Sequence, residues 1–178
     1  YNRILFMTLG TGIGGAVIIN GNLLETGEYP GCEFGHMVIK ENGLKCNCGR
    51  KGCFEKYGSM RAFKDNLRNE LGLEDKTSGK ELMAILKDTT KESKDYAKIE
   101  KVRKQYIRDL SVGIANLVNI FEPEAIGIGG SFVYFSEVLL QDVKKTILKE
   151  DMLFNPRKEI NIQTAVLGNE AGIIGATL

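Results

Sequence analysis

The run Ile4-Leu5-Phe6-Met7-Thr8-Leu9-Gly10-Thr11-Gly12-Ile13-Gly14-Gly15-Ala16-Val17-Ile18-Ile19-Asn20-Gly21 decides the fold. Residues 4–9 and 14–20 are apolar segments of strand length, rich in Ile, Val, Leu and Phe. Glycines separate them. Asn20-Gly21 is a strong tight-turn dipeptide, and Asn22-Leu23-Leu24-Glu25 can return as a third strand. The chain therefore opens as an antiparallel meander.

Working outward, residues 26–35 read as a loop, and Met37–Ile39 as a short strand. A helix is predicted from Phe54 through Leu71, closing at Gly72. Ser78 with Glu81 three residues on makes a capping box, which opens a second helix through Leu86. Residues 87–96 are charged and read as an exposed connection. Ile99, Val102, Tyr106, Leu110, Ile114, Leu117 and Phe121 recur at three- and four-residue steps, which predicts a long amphipathic helix over 95–121, stopped by Pro123. A strand at Ala125–Ile128 runs into Gly129-Gly130-Ser131. A helix over Ser136–Lys149, a strand over Ile160–Val166 and a helix over Glu170–Leu178 follow. Helix and strand alternate here, which favours a parallel arrangement. The class is α/β, with a mixed sheet and flanking helices.

The chain has 178 residues, enough for one packed domain or one lobe of a larger protein. An apolar fraction of 43% and a charged fraction of 26% are ordinary for a globular chain. A net charge of +1 gives no electrostatic case for nucleic acid or anionic membrane. No apolar run reaches the roughly 18–20 residues that span a bilayer. Tyr1 leads almost at once into a buried-type strand, so we expect an upstream lobe to precede this segment.

The chemistry concentrates between Gly31 and Glu55. His36, Cys46, Cys48 and Cys53 form a set suited to a tetrahedral zinc ion. Four such ligands close the coordination shell, so the ion would be structural, with no open position for water. Disulfides are the weaker reading, because Cys-x-Cys is poorly shaped for a mutual bridge. Gly49 and Gly52 allow the tight turns the set needs, and a metal-free loop with incidental thiols is the plain alternative. We expect chelation to disorder residues 43–55. Cys32 is left over and reads as a small buried residue. Glu33 and Glu55 flank the set, and carboxylates on metal-stiffened loops can accept hydrogen bonds from sugar hydroxyls. Surface glutamates without a task are the alternative. The Gly10–Gly15 turn could let backbone amides and the Thr11 hydroxyl approach a phosphate, or be a plain hairpin turn. It lacks the Lys-Ser/Thr ending of a Walker loop. A strand ending in Gly129-Gly130 can admit a ligand at the carboxyl edge of a sheet, or simply turn.

Together these residues resemble the ROK family of bacterial sugar kinases and sugar-responsive repressors, over nearly the whole chain. Gly10-Thr11-Gly12-Ile13-Gly14-Gly15 is similar to the family's second phosphate motif. Glu33-Phe34-Gly35-His36 resembles its sugar motif, Glu-x-Gly-His. The run from Cys46 to Glu55 matches its Cys-x-Cys-Gly-x-x-Gly-Cys-x-Glu signature at every defined position. Phe121-Glu122-Pro123-Glu124, followed by the strand and Gly129-Gly130, resembles its adenosine-side motif.

The resemblance implies an actin-like ATPase (ribonuclease H-like) fold of two lobes, with sugar and ATP in the cleft between them. Residues 1–178 would be the C-terminal lobe, with a zinc loop at 36–55. Glu33, His36, Glu55 and Gly12 would meet a hexose or N-acetylhexosamine. Thr11 and Gly12 would lie near the ATP phosphates, and Gly129 and Gly130 beside adenosine. His36 would use one ring nitrogen for zinc and the other for sugar. Magnesium would accompany ATP. The family's first phosphate motif and its general-base Asp lie upstream and do not occur here, so this lobe alone should be inactive. A cytoplasmic, glucokinase-like kinase is the first expectation, and a sugar-sensing repressor the second. Family members are often homodimers.

Overall fold

The computed structural model describes residues 1–25, 27, 31–149 and 151–166. Strands β1 (Arg3–Leu9), β2 (Ile13–Ile19) and β3 (Asn22–Leu23) form the opening meander. Leu9 pairs with Ile13 across the glycine turn, and Leu5 with Val17. Asn20 and Gly21 both take positive φ, 52° and 76°, as the tight turn requires. Helices α1 (Glu55–Gly58), α2 (Met60–Leu71), α3 (Gly79–Asp88) and α4 (Tyr96–Phe121) follow. Then come β4 (Ala125–Gly129), a 3-10 segment (Gly130–Phe135), α5 (Ser136–Lys149) and β5 (Ile162–Thr164).

The sheet has five strands in the order β3-β2-β1-β4-β5. The meander is antiparallel, while β4 pairs parallel to β1 and β5 parallel to β4. Helices α4 and α5 lie between parallel strands in sequence, because a parallel pair needs a long crossover. Leu5, Met7, Leu9, Ile126, Ile128 and Ile162 are buried in one cluster with Leu110, Ile114 and Leu117 of α4 and Leu139, Val143 and Ile147 of α5. This packing fixes the carboxyl edge of β1 and β4, where the glycine motifs stand.

Three expectations need correction. Residues 54–71 are not one helix: Ser59, at φ −71° and ψ 154°, leaves helical geometry. Its hydroxyl accepts from the Ala62 N–H and starts α2 afresh, a local bond that competes with continuing α1. Met37–Ile39 is not a strand; among the described residues it contributes a lone bridge, Val38 to Cys53. The last strand is shorter than Ile160–Val166, with Ile162–Thr164 in the ladder. The capping box at Ser78 and Glu81 forms with both bonds in place. Helix α4 ends at Phe121 and is capped by Glu122, at φ 45°, one residue before Pro123. The helix expected over Glu170–Leu178 lies outside the described residues. Among the described residues no helix is long and apolar enough to cross a membrane.

Candidate sugar and metal site

The glycine turn is the scaffold of the site, and it works through close approach rather than through left-handed backbone. Gly10, Gly12, Gly14 and Gly15 all lie outside the positive-φ region. What they provide is space. A Cβ on Gly15 would overlap the Phe34 ring, and one on Gly12 would overlap Glu55 Oε2. Gly10 opens on empty space. Phe34 thus packs its ring against Gly15 of β2 and anchors the 3-10 turn Phe34–His36 beside the meander. Glu33 stands at the start of that turn, where its carbonyl accepts from the His36 N–H at 3.0 Å. Its carboxylate is exposed and has no partner among the described residues. Cys32, expected to be buried, is half-buried at φ 55° and packs on the edge of the core.

Glu55 opens α1 and reaches the turn, accepting from the Ile13 N–H at 3.1 Å. Gly12, Ile13 and Glu55, from opposite ends of the segment, therefore meet. Thr11 is exposed and lines a cavity of about 550 Å³ against α2. Gly130 has φ 74°, and a Cβ there would crowd the Leu9 carbonyl, so its glycine serves the turn from β4. Gly129 has nothing closer than 3.6 Å to its missing Cβ. Ser131, which follows Gly130, lines a second cavity of about 480 Å³.

The ligand atoms of His36, Cys46, Cys48 and Cys53 all lie within 4.8 Å of one another. His36 Nδ1 is 3.6 Å from Cys46 Sγ, and Cys48 Sγ is 3.6 Å from Cys53 Sγ. A tetrahedron with metal–sulfur bonds of ~2.3 Å has sulfur–sulfur edges of about 3.8 Å, so the four residues fit a tetrahedral ion. Nδ1 faces the cysteines, which leaves Nε2 for another partner. Gly49 and Gly52 take φ 89° and 78°, the turns predicted for them.

The thiols divide sharply. The Arg50 backbone N–H and guanidinium lower the exposed Cys48 thiol to about 6. Burial, then the neighbouring thiols, push Cys53 up to about 12. A bound cation is the agent that would hold both as thiolates.

Residues not singled out in the sequence complete the loop. Arg50 also donates to the His36 carbonyl at 2.8 Å. Lys40 reaches both carboxylate oxygens of Asp109 on α4 at 2.8 Å and lies 4.4 Å from the Tyr57 ring centroid. Asp109 is buried and also accepts from Gln105. Its one advance signal was a carboxylate among apolar neighbours in the inward stripe of α4.

The profile of the ROK family matches residues 1–178. The chain belongs to the ROK family. It is 30% identical over 188 residues to a glucokinase of Streptomyces coelicolor, covering 99% of this chain and 58% of that one. It is 29% identical over 147 residues to the xylose repressor of Bacillus spizizenii, covering 83% of this chain and 36% of that one. Among solved structures, a ROK family glucokinase from Streptomyces griseus in complex with glucose and AMPPNP superposes with TM-score 0.82 at 27% identity. That match covers 99% of this chain and 59% of the other. The fold is thus that of the ROK sugar kinases, the actin-like ATPase type, and the chain spans under two thirds of these relatives' lengths.

Proposed function

We infer that this chain is the C-terminal lobe of an ATP-dependent hexose kinase of the glucokinase kind, working in the cytoplasm where magnesium-ATP is supplied. The observation that carries the reading is the meeting of Glu55 with the Gly12-Ile13 backbone, beside the turn that bears Glu33 and His36. Such a cluster offers carboxylate acceptors and an imidazole nitrogen to a polyhydroxylated ligand, next to glycine backbone open to a phosphate. Glu33, His36 and Glu55 would hold the sugar hydroxyls, with Gly12 close to both substrates. Thr11 and Gly12 would receive the phosphates, and Gly129 and Gly130 the adenosine side. His36, Cys46, Cys48 and Cys53 would hold a zinc ion whose role is to stiffen the loop.

Neither Glu33 nor Glu55 is assigned as general base; that group belongs to the other lobe. Phosphoryl transfer depends on positioning and charge stabilisation from both sides of the cleft, so this lobe alone would be inactive. The relatives called xylose repressors favour a second reading, a sugar-sensing repressor that keeps the same sugar pocket.

The test is ADP release by the whole protein with magnesium-ATP and a panel of glucose, fructose, mannose and N-acetylated hexosamines. Turnover with a sugar, abolished by Glu33→Ala, supports the kinase. Sugar binding without turnover on any member of the panel overturns it and favours the repressor.

A further inference from the structure

We propose that the groove between helices α4 and α5 is a second ligand site, built for a small organic bisphosphate of the size of a hexose bisphosphate. The proposal stands apart from the kinase reading. Among the described residues, no member of the glycine turn, the sugar motif or the cysteine loop lines this groove.

The groove is a cavity of about 480 Å³, an ordinary size for a small-molecule site. Arg103, Lys104 and Arg108 line it from α4, and Asp142, Lys145 and Lys149 from α5. That is five cations to one carboxylate, in a chain whose 24 basic and 23 acidic residues nearly balance. A concave wall of one sign focuses the field and draws in ions of the other. The excess is gathered in one cavity and does not extend as a stripe, so it suits a small polyanion better than a nucleic acid backbone.

The frame of the groove is fixed. The Arg103 guanidinium donates to Asp142 at 2.5 Å, to Glu100 at 2.6 Å and to the Val138 carbonyl at 3.4 Å. The Ser111 hydroxyl ties the same two helices by donating to the Val143 carbonyl at 3.4 Å. Ile107, which is buried, adds an apolar patch to the lining, and Thr146 adds a hydroxyl. Arg103, Glu100 and Asp142 together carry one net negative charge, which the other four cations exceed by three. Lys104 stands 3.9 Å from Glu100 and Lys145 stands 3.7 Å from Asp142, and both lysines are exposed. Surface pairs of that length contribute little, so these ammonium groups turn to a better anion at small cost.

The spacing selects the number of phosphates. Lys104 and Arg108 are four residues apart, as are Lys145 and Lys149, so each pair shares a helix face with a rise of about 6 Å between its members. Packed helices stand roughly 8–10 Å apart. The four cations therefore rise from the corners of a frame of about 6 by 9 Å. A single phosphate reaches part of that frame. Two phosphoryl groups at opposite ends of a six-carbon skeleton span it, and ammonium and guanidinium groups bind their oxygens by charge-assisted hydrogen bonds.

The experiment is calorimetric titration of the whole protein with fructose 1,6-bisphosphate, with saturating glucose and magnesium-AMPPNP present to fill the cleft. Glucose 6-phosphate, inorganic phosphate and a glutamate-rich peptide are titrated alongside. We expect the bisphosphate to bind at least tenfold more tightly than any of these three. Lys145→Gln should weaken it about fivefold, and the double variant Lys104→Gln with Lys145→Gln at least twentyfold, with glucose affinity unchanged as the sign of a folded protein. Equal affinity for the bisphosphate and glucose 6-phosphate overturns the proposal. Tighter binding of the peptide overturns it as well, and makes the groove a docking surface for an acidic protein. Binding that vanishes when AMPPNP is added, or that the double variant leaves intact, places the bisphosphate elsewhere and has the same consequence. Each of these outcomes leaves the ADP-release test of the kinase reading untouched.

Discussion

The cysteine loop, residues 37–53, and helix α4 touch through Lys40 and Asp109, yet different forces hold them. Helix α4 buries Ile99, Val102, Tyr106, Leu110, Ile114 and Leu117 in the core, each such side chain worth roughly 1.5–3 kcal/mol when removed from water. The Tyr106 hydroxyl donates to the Gly58 carbonyl at 3.0 Å and pins the α1–α2 joint, while burial raises that phenol and keeps it protonated. The loop instead exposes Val38 and Leu44, and its order comes from backbone bonds such as Gly52 N–H to the Leu44 carbonyl and Phe54 N–H to the Met37 carbonyl. To these it adds the four metal-type ligands and the Lys40–Asp109 pair. Order by buried area is spread over many residues and degrades gradually. Order by ligands is concentrated in a few atoms and can be removed at once.

The largest test of that contrast is removal of the proposed zinc ion. Chelation, or Cys53→Ser, should abolish zinc stoichiometry and cut hexose affinity by about a hundredfold or more. Hydrogen exchange should accelerate at Cys46, Gly49 and Gly52 while α2 and α4 keep their protection. Equal loss of protection across α4 would show that loop and core are one cooperative unit.

Phe54 is where the loop enters the core. Its ring is fully buried and fills the space left by Gly58 and by Gly113 of α4, where a Cβ would overlap it. Phe54→Ala should cost about 3–5 kcal/mol, read as a lower urea midpoint of the whole chain. A cost near zero would mean that the ring is not part of the core's cooperativity. The buried ring also narrows the expectation that chelation disorders residues 43–55, because position 54 is held by packing rather than by ligands.

Gly12→Ala is a finer probe. The new Cβ would meet the far end of the Glu55 side chain, which can swing away, so stability should fall by only about 1 kcal/mol with the lost Ile13 bond. Sugar affinity should fall roughly tenfold, because Glu55 no longer stands at the turn. Unchanged sugar affinity would remove Glu55 from the site.

The smallest effect is expected on the core side. The hydrogen bond from Arg103, with a smaller charge contribution, holds Glu100 below its ordinary value. A depressed folded pKa stabilises above the unfolded value, near ~4.3 for Glu, and that stability is lost as pH falls through the folded value. Glu100→Gln should therefore lower stability by on the order of 1 kcal/mol at pH 7, and the two proteins should converge as the pH falls through the folded value of Glu100. A difference that persists at acid pH would place the effect in packing.

Much of this was legible in the sequence because it is local. Apolar periodicity set α4 within a residue at its start, and Asn20-Gly21 set the hairpin. The capping box at Ser78 and the ligand spacing of Cys46, Cys48 and Cys53 were equally readable, since the atoms involved lie a few residues apart. The helix break at Ser59 was missed because a serine N-cap inside a helical stretch looks like any polar helix position until its hydroxyl finds the Ala62 N–H.

By itself the sequence determined the α/β class, most of the elements, the metal-type ligand set and the kinship those residues announce. Only the tertiary structure decided what the glycines are for. Gly12 and Gly15 make room for Glu55 and Phe34, which lie 43 and 19 residues away in the chain. It also decided that Asp109 anchors the loop through Lys40, and that cations of α4 and α5 line one groove. The reason is the range of the interactions. Turns, caps and periodicity are settled between neighbours, whereas close approach, ion pairing across elements and cavity shape exist only once distant segments have packed.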